Sequence, residues 1–197
     1  MLGFTSKQLI GVGIFLFMIF IGVPMIIGAT GRWDFYFTLT SVALLAIASA
    51  GVWLTFYIGR INIGQGAFAL IGAYVSAILV VKAGWSFWIS LPAAGLFAAL
   101  VAILIGVPIL RLRGVYFAMI TLVLTQVVTL TALALPITNG AKGISNIPLP
   151  AGISVFGIPI LPDFAGMENT KLAFYYTACI IMILTYAALY RLVNSRL

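Results

Sequence analysis

The chain has 197 residues, of which 64% are hydrophobic and 7% charged, with a mean hydropathy of +1.26. Soluble domains carry about 25% charged residues, so composition excludes an ordinary water-soluble globule and makes lipid the natural solvent. The formal charge of +7 comes from basic residues scattered singly between apolar runs, a pattern that orients membrane proteins and argues against nucleic acid as a partner.

A bilayer core of about 30 Å takes about 20 apolar residues in a helix. On that scale the sequence predicts an all-α, polytopic transmembrane helical bundle of about six spans with one long external loop. Residues 1–197 form a single membrane domain. The first predicted span runs from about Gln8 to Thr30. It is too long for a signal-peptide core, no small-residue cleavage site follows, and it reads as a retained helix. The second runs from Phe35 to Ile58.

The third runs from Ile61 to Val81 and is rich in small residues. Gly72 and Ser76, and the stripe Ala69, Ala73 and Ala77, let helix backbones approach closely in lipid. The run Asn62-Ile63-Gly64-Gln65-Gly66 at its start has two readings. It is either a close-packing face or a break in the helix that exposes backbone groups to a solute.

The fourth span runs from Phe87 to Leu110 and the fifth from Val115 to Leu135. The fifth carries Thr121, Thr125 and Thr129 on one face. Their hydroxyls can bond the carbonyl four residues earlier, which makes the stripe weakly informative. Gln126 beside them has no such local partner and needs either another helix or a watery path. The connection from Pro136 to Lys171 holds five prolines and five glycines and is the external loop. The sixth span runs from Leu172 to Leu192.

No predicted span has Asp, Glu, Lys, Arg or His near its centre, which argues against a proton- or ion-coupled carrier. Trp33, Trp85 and Trp88 fall near span ends, where aromatic belts sit. The chain has one cysteine, Cys179, and no histidine. Cys179 reads as a small apolar residue. No metal cluster, nucleophilic triad or phosphate-cradling loop can be assembled, so neither catalysis nor a cofactor is expected.

The connections alternate in charge. Lys7, Arg60, Arg111, Arg113, Arg191 and Arg196 lie on one side, with no acid. Arg32, Lys82, Lys142 and Lys171 lie on the other, with Asp34, Asp163 and Glu168. The positive-inside rule then places both ends of the chain in the cytoplasm.

Four segments in order resemble the branched-chain amino-acid ABC-transporter permeases. They are Tyr57-Ile58-Gly59-Arg60-Ile61-Asn62-Ile63-Gly64-Gln65-Gly66-Ala67-Phe68, then Ile71-Gly72-Ala73-Tyr74, then the basic element Arg111-Leu112-Arg113-Gly114-Val115-Tyr116-Phe117-Ala118-Met119-Ile120-Thr121-Leu122 with Gln126 behind it. The last is Thr138-Asn139-Gly140-Ala141-Lys142-Gly143-Ile144-Ser145-Asn146-Ile147-Pro148. Each is weak alone; the ordered set, across about the middle half of the chain, is specific. The order and the long loop resemble the M-type permease subunit.

The resemblance implies an inner-membrane importer. A second permease subunit pairs with this one, cytoplasmic ATPase subunits hydrolyse ATP, and an external solute-binding protein delivers the solute. It makes Asn62, Gly64, Gln65, Gly66 and Gln126 substrate-path candidates. Thr138, Gly140 and Gly143 become external docking or gate candidates, and Arg60, Arg111 and Arg113 cytoplasmic turn candidates. Related permeases import urea, short amides or aromatic acids. The family pattern continues into a charged cytoplasmic segment and further helices where this sequence ends, at Asn194-Ser195-Arg196-Leu197. The expectation is therefore the N-terminal portion of a longer domain. The reading of another class is a truncated inactive or structural membrane protein.

Overall fold

A computed structural model describes residues 18–31, 34–112, 114–155, 158–161, 164 and 170–194. It is built from helices α1 (Val23–Thr30), α2 (Phe35–Tyr57), α3 (Gln65–Val81), α4 (Phe87–Ile109), α5 (Val115–Ala134) and α6 (Thr170–Asn194). Helices α2, α4, α5 and α6 are long and apolar enough to cross a membrane, and α3 is a shorter apolar helix of 17 residues. The protein is an all-α, multi-pass membrane protein. Among the described residues, none of these five helices has Asp, Glu, Lys, Arg or His near its centre; Lys171 and Arg191 stand at the ends of α6.

Four predicted spans match long helices, and two differ. Of the first predicted span, residues 8–17 lie outside the described residues, and the remainder is a π-helical turn, Met18–Gly22, followed by the eight residues of α1. The third predicted span starts at Ile61, whereas α3 starts at Gln65. The reason is local. The Asn62 side chain accepts the N–H of Gly64 at 2.8 Å, and this Asx turn holds the chain out of the helix. Lys7, Arg32, Trp33, Arg113, Asp163, Glu168 and Arg196 lie outside the described residues.

Residues 1–45 and 168–197 form one compact unit. Its core is Ile27, Tyr36, Tyr175 and Cys179, with the two tyrosine rings 5.7 Å apart. Pro24 shapes this region. In a π register the carbonyl of Ile19 falls to the N–H of residue 24, which proline lacks. The Tyr175 hydroxyl supplies the missing donor, reaching the Ile19 carbonyl at 2.8 Å. Asp34 and Lys171 pair at 2.6 Å and set the starts of α2 and α6 side by side. Both side chains are more than half exposed, so the pair contributes at most about 1 kcal/mol.

Residues 46–167 form the other unit. Helix α3 lies along α4, with Ala67 and Ser90 fully buried and the Ser76 and Ser90 hydroxyls 3.2 Å apart. Helix α5 packs against α3 and α4. The segment after α5, expected as an open loop, carries two 3-10 turns, Pro136–Thr138 and Gly140–Lys142. It also carries an antiparallel hairpin of β1 (Ile153–Val155) and β2 (Ile158–Leu161).

Tyr175→Phe keeps the ring and removes the donor to Ile19. It should destabilise the π-helical turn by about 1–3 kcal/mol, the range for a carbonyl left without its partner. Hydrogen exchange across residues 18–27 reads this directly, and unchanged protection there would sink the assignment.

Candidate functional site

Four of the five substrate-path candidates, Asn62, Gly64, Gln65 and Gly66, lie in the non-helical stretch between α2 and α3 or in the first turn of α3. The chain leaves α2 through a turn closed by the Gly59 N–H on the Phe56 carbonyl and the Arg60 N–H on the Thr55 carbonyl, both at 2.9 Å. Arg60 then reaches across. Its guanidinium donates to the Leu112 carbonyl and stands 5.4 Å from the centre of the Phe117 ring. One cation thus ties the turn after α2 to the turn after α4. Arg111 in that second turn is exposed, and Arg113 is outside the described residues.

Beyond Arg60 the backbone docks on α5. The Ile63 N–H donates to the Thr121 hydroxyl at 3.1 Å, and that hydroxyl donates in turn to the Ala118 carbonyl at 2.9 Å. Gly64 is buried at the contact. A Cβ there would lie 3.1 Å from both the Asn62 side-chain oxygen and the Thr121 carbonyl, and 3.2 Å from the Thr121 Cβ. Only a glycine lets the two backbones come this close without displacement. The Gln65 amide lies against Gly51 of α2, where a Cβ would fall 2.7 Å from its Nε2. Gly66 is looser and exposed; a Cβ there would meet only the Thr125 methyl, at an ordinary 3.5 Å.

The structure therefore brings Asn62, Gly64, Gln65 and Gly66 together and leaves Gln126 apart. Gln126 is exposed on α5 and has no hydrogen-bond partner among the described residues. Sequence reasoning missed Thr121 and Gly51. Thr125 and Thr129 do return their hydroxyls to the carbonyls of Thr121 and Thr125, as expected of such a stripe. Thr121 differs because it is buried and also accepts a bond from another segment. The one available signal was its place in the matched basic element, at the end furthest from the arginines.

The external-loop candidates sit at the opposite end of α5. Thr138 is buried, and its hydroxyl donates to the carbonyls of Ala132 and Leu135, so it closes the end of α5. Gly140 and Gly143 take positive φ of 57° and 67° in the 3-10 turn that follows. The Lys82 ammonium donates to the Ile137 carbonyl at 2.6 Å. Beside this, a recess of about 290 Å³ opens between α3, α4 and α5, lined by Leu70, Tyr74, Ile78, Val101, Val128 and Leu135 among others. Its walls are almost entirely carbon. No lining residue is charged, so the recess has no counter-ion for the carboxylate or ammonium of a free amino acid and suits aliphatic carbon instead. Among the described residues no group of three or more His, Cys, Asp or Glu could hold a metal.

The two glycines of the junction separate experimentally. Gly64→Ala should destabilise the protein by about 1–3 kcal/mol through overpacking against Thr121, while Gly66→Ala should change it by less than about 0.5 kcal/mol. Thermal denaturation in detergent compares them, and equal effects would remove the close approach at Gly64 from the account.

The family described as the branched-chain amino acid transport system / permease component matches residues 35–197. The high-affinity branched-chain amino acid transport system permease protein LivM of Escherichia coli is 45% identical over 101 residues, covering 51% of this chain and 23% of that protein. LivM of Salmonella typhimurium is 44% identical over the same length and shares. The aligned region thus spans about a quarter of these curated relatives. No solved structure matches the chain significantly. With the family matched across the junction, the basic turn and the segment beyond α5, the chain belongs to the branched-chain amino acid transport permease family, the non-catalytic membrane component of an ABC transporter.

Proposed function

We propose that this chain forms part of the path by which an ABC importer carries branched-chain amino acids across the inner membrane. The observation that carries the reading is the continuous family match from residue 35 to 197. The two LivM relatives, which are named for branched-chain amino acid transport, favour branched-chain amino acids over urea, short amides or other small organic solutes. The partners would be a second permease subunit, cytoplasmic ATPase subunits and an external solute-binding protein.

The α2–α3 junction supports a role in the path. Non-helical backbone at membrane depth is tolerated only where protein buries it or where it lines a water-filled cavity. Residues Ile61–Gly64 have side-chain partners on one side, Asn62 and Thr121, and exposed positions at Ile61 and Ile63. Broken helices of this kind present backbone groups to polar solutes in transporters. Thr138, Gly140 and Gly143 would shape the segment that receives the solute-binding protein.

The arrangement we favour has six spans, counting the run from Gln8 through α1 and the short α3, with both ends in the cytoplasm. Two clamps fit that alternation. Arg60 joins the α2–α3 and α4–α5 turns at one end, and Lys82 joins the α3–α4 turn to the segment after α5 at the other.

The direct test is uptake of labelled leucine, isoleucine and valine by proteoliposomes holding the assembled importer. Uptake should require ATP and the solute-binding protein, and Gly64→Leu should abolish it. Uptake driven by an ion gradient without ATP would overturn the importer reading; ATP-dependent uptake of urea but not leucine would overturn the solute. For the topology, tags at residues 83 and 145 should react with an impermeant reagent from outside, and tags at 59 and 111 should not. The reverse pattern would invert the bundle.

A further inference from the structure

The geometry points to Trp88 as the residue that positions the hairpin-bearing segment after α5, and so sets how that segment meets its partner. In sequence Trp88 reads as an interfacial belt residue. In the structure it sits at the start of α4 and grips the segment at two places. Its indole N–H donates to the Ala151 carbonyl at 3.0 Å. Its ring meets Phe164 edge-on, with centroids 5.5 Å apart and planes at 88°. Phe164 is fully buried, and its own N–H donates to the Pro150 carbonyl at 2.9 Å.

Pro150 and Phe164 therefore form a neck from which β1 and β2 hang. Trp88 touches the chain before β1 through Ala151 and the chain after β2 through Phe164. Lys82, six residues earlier, holds the same segment near its origin at Ile137. Lys82 after α3 and Trp88 in the first turn of α4 thus fix the segment at two separated points, on either side of residues 138–149. A partner that docks on the hairpin meets a pre-oriented surface, which lowers the ordering cost of binding. Trp88 makes this difference without touching the partner itself.

This role rests on the reading that the segment receives the solute-binding protein. The experiment takes the assembled importer in nanodiscs, as wild type, Trp88→Phe and Trp88→Ala. It follows hydrogen exchange at the Phe164 amide, and ATP-dependent uptake against solute-binding-protein concentration. Losing the indole bond and the edge-on contact in Trp88→Ala should speed exchange at Phe164 by about tenfold or more. The half-saturating concentration of the solute-binding protein should rise several-fold, with the maximal rate little changed. Trp88→Phe keeps a ring and should fall between.

Unchanged exchange at Phe164 in both variants overturns the positioning role of Trp88. Faster exchange with an unchanged half-saturating concentration overturns instead the docking of the solute-binding protein on this segment. Should Trp88→Ala fail to assemble, Phe164→Leu probes the contact from the other side. It should reproduce the rise in half-saturation, and a wild-type curve overturns the proposal.

Discussion

In hydrocarbon there is no water to satisfy a backbone N–H or carbonyl, so each must find its partner inside the protein. That constraint organises this molecule. Regular helix meets it over most of the described residues, and at several irregular stretches a side chain takes over. Tyr175 serves the carbonyl of Ile19 next to Pro24, Thr121 serves the N–H of Ile63, and Asn62 serves that of Gly64. Thr138 closes α5, and Arg60 and Lys82 bond the carbonyls of Leu112 and Ile137. Several polar residues of this apolar sequence thus stand where the backbone is irregular, while others, such as Thr40, Thr129 and Thr185, return their hydroxyls to their own helix.

This explains what could be read in the sequence. The long helices were legible because apolar runs of span length have few alternatives in lipid, and α2, α4, α5 and α6 lie close to their predicted limits. The start of α3 was misplaced because Ile61 and Ile63 look like span residues, and hydropathy cannot see that the Asn62 side chain pulls Gly64 out of the helix. The hairpin was invisible for a similar reason. Its strands are three and four residues long within a stretch of prolines and glycines, too short to show alternation.

The candidate site was legible in part. Asn62, Gly64, Gln65 and Gly66 stood out as polar and small residues where a span should be greasy, and they do assemble. Their partners did not stand out. A glycine such as Gly51 in a transmembrane helix has many uses, and a threonine that bonds its own helix looks the same on paper whether or not it also accepts from elsewhere. Trp88 was hidden differently, because a tryptophan at a helix end is already accounted for by the membrane surface. In each case the sequence carried the residue, and only the fold carried the contact.

The hydroxyl pair of Ser76 and Ser90 joins α3 to α4 inside the bundle without any charge. Moving one elementary charge through the full membrane potential takes about 2.3 kcal/mol per 100 mV. Helices held by neutral contacts can shift against one another with almost no electrical work. The membrane voltage then has little hold on the α3–α4 contact itself.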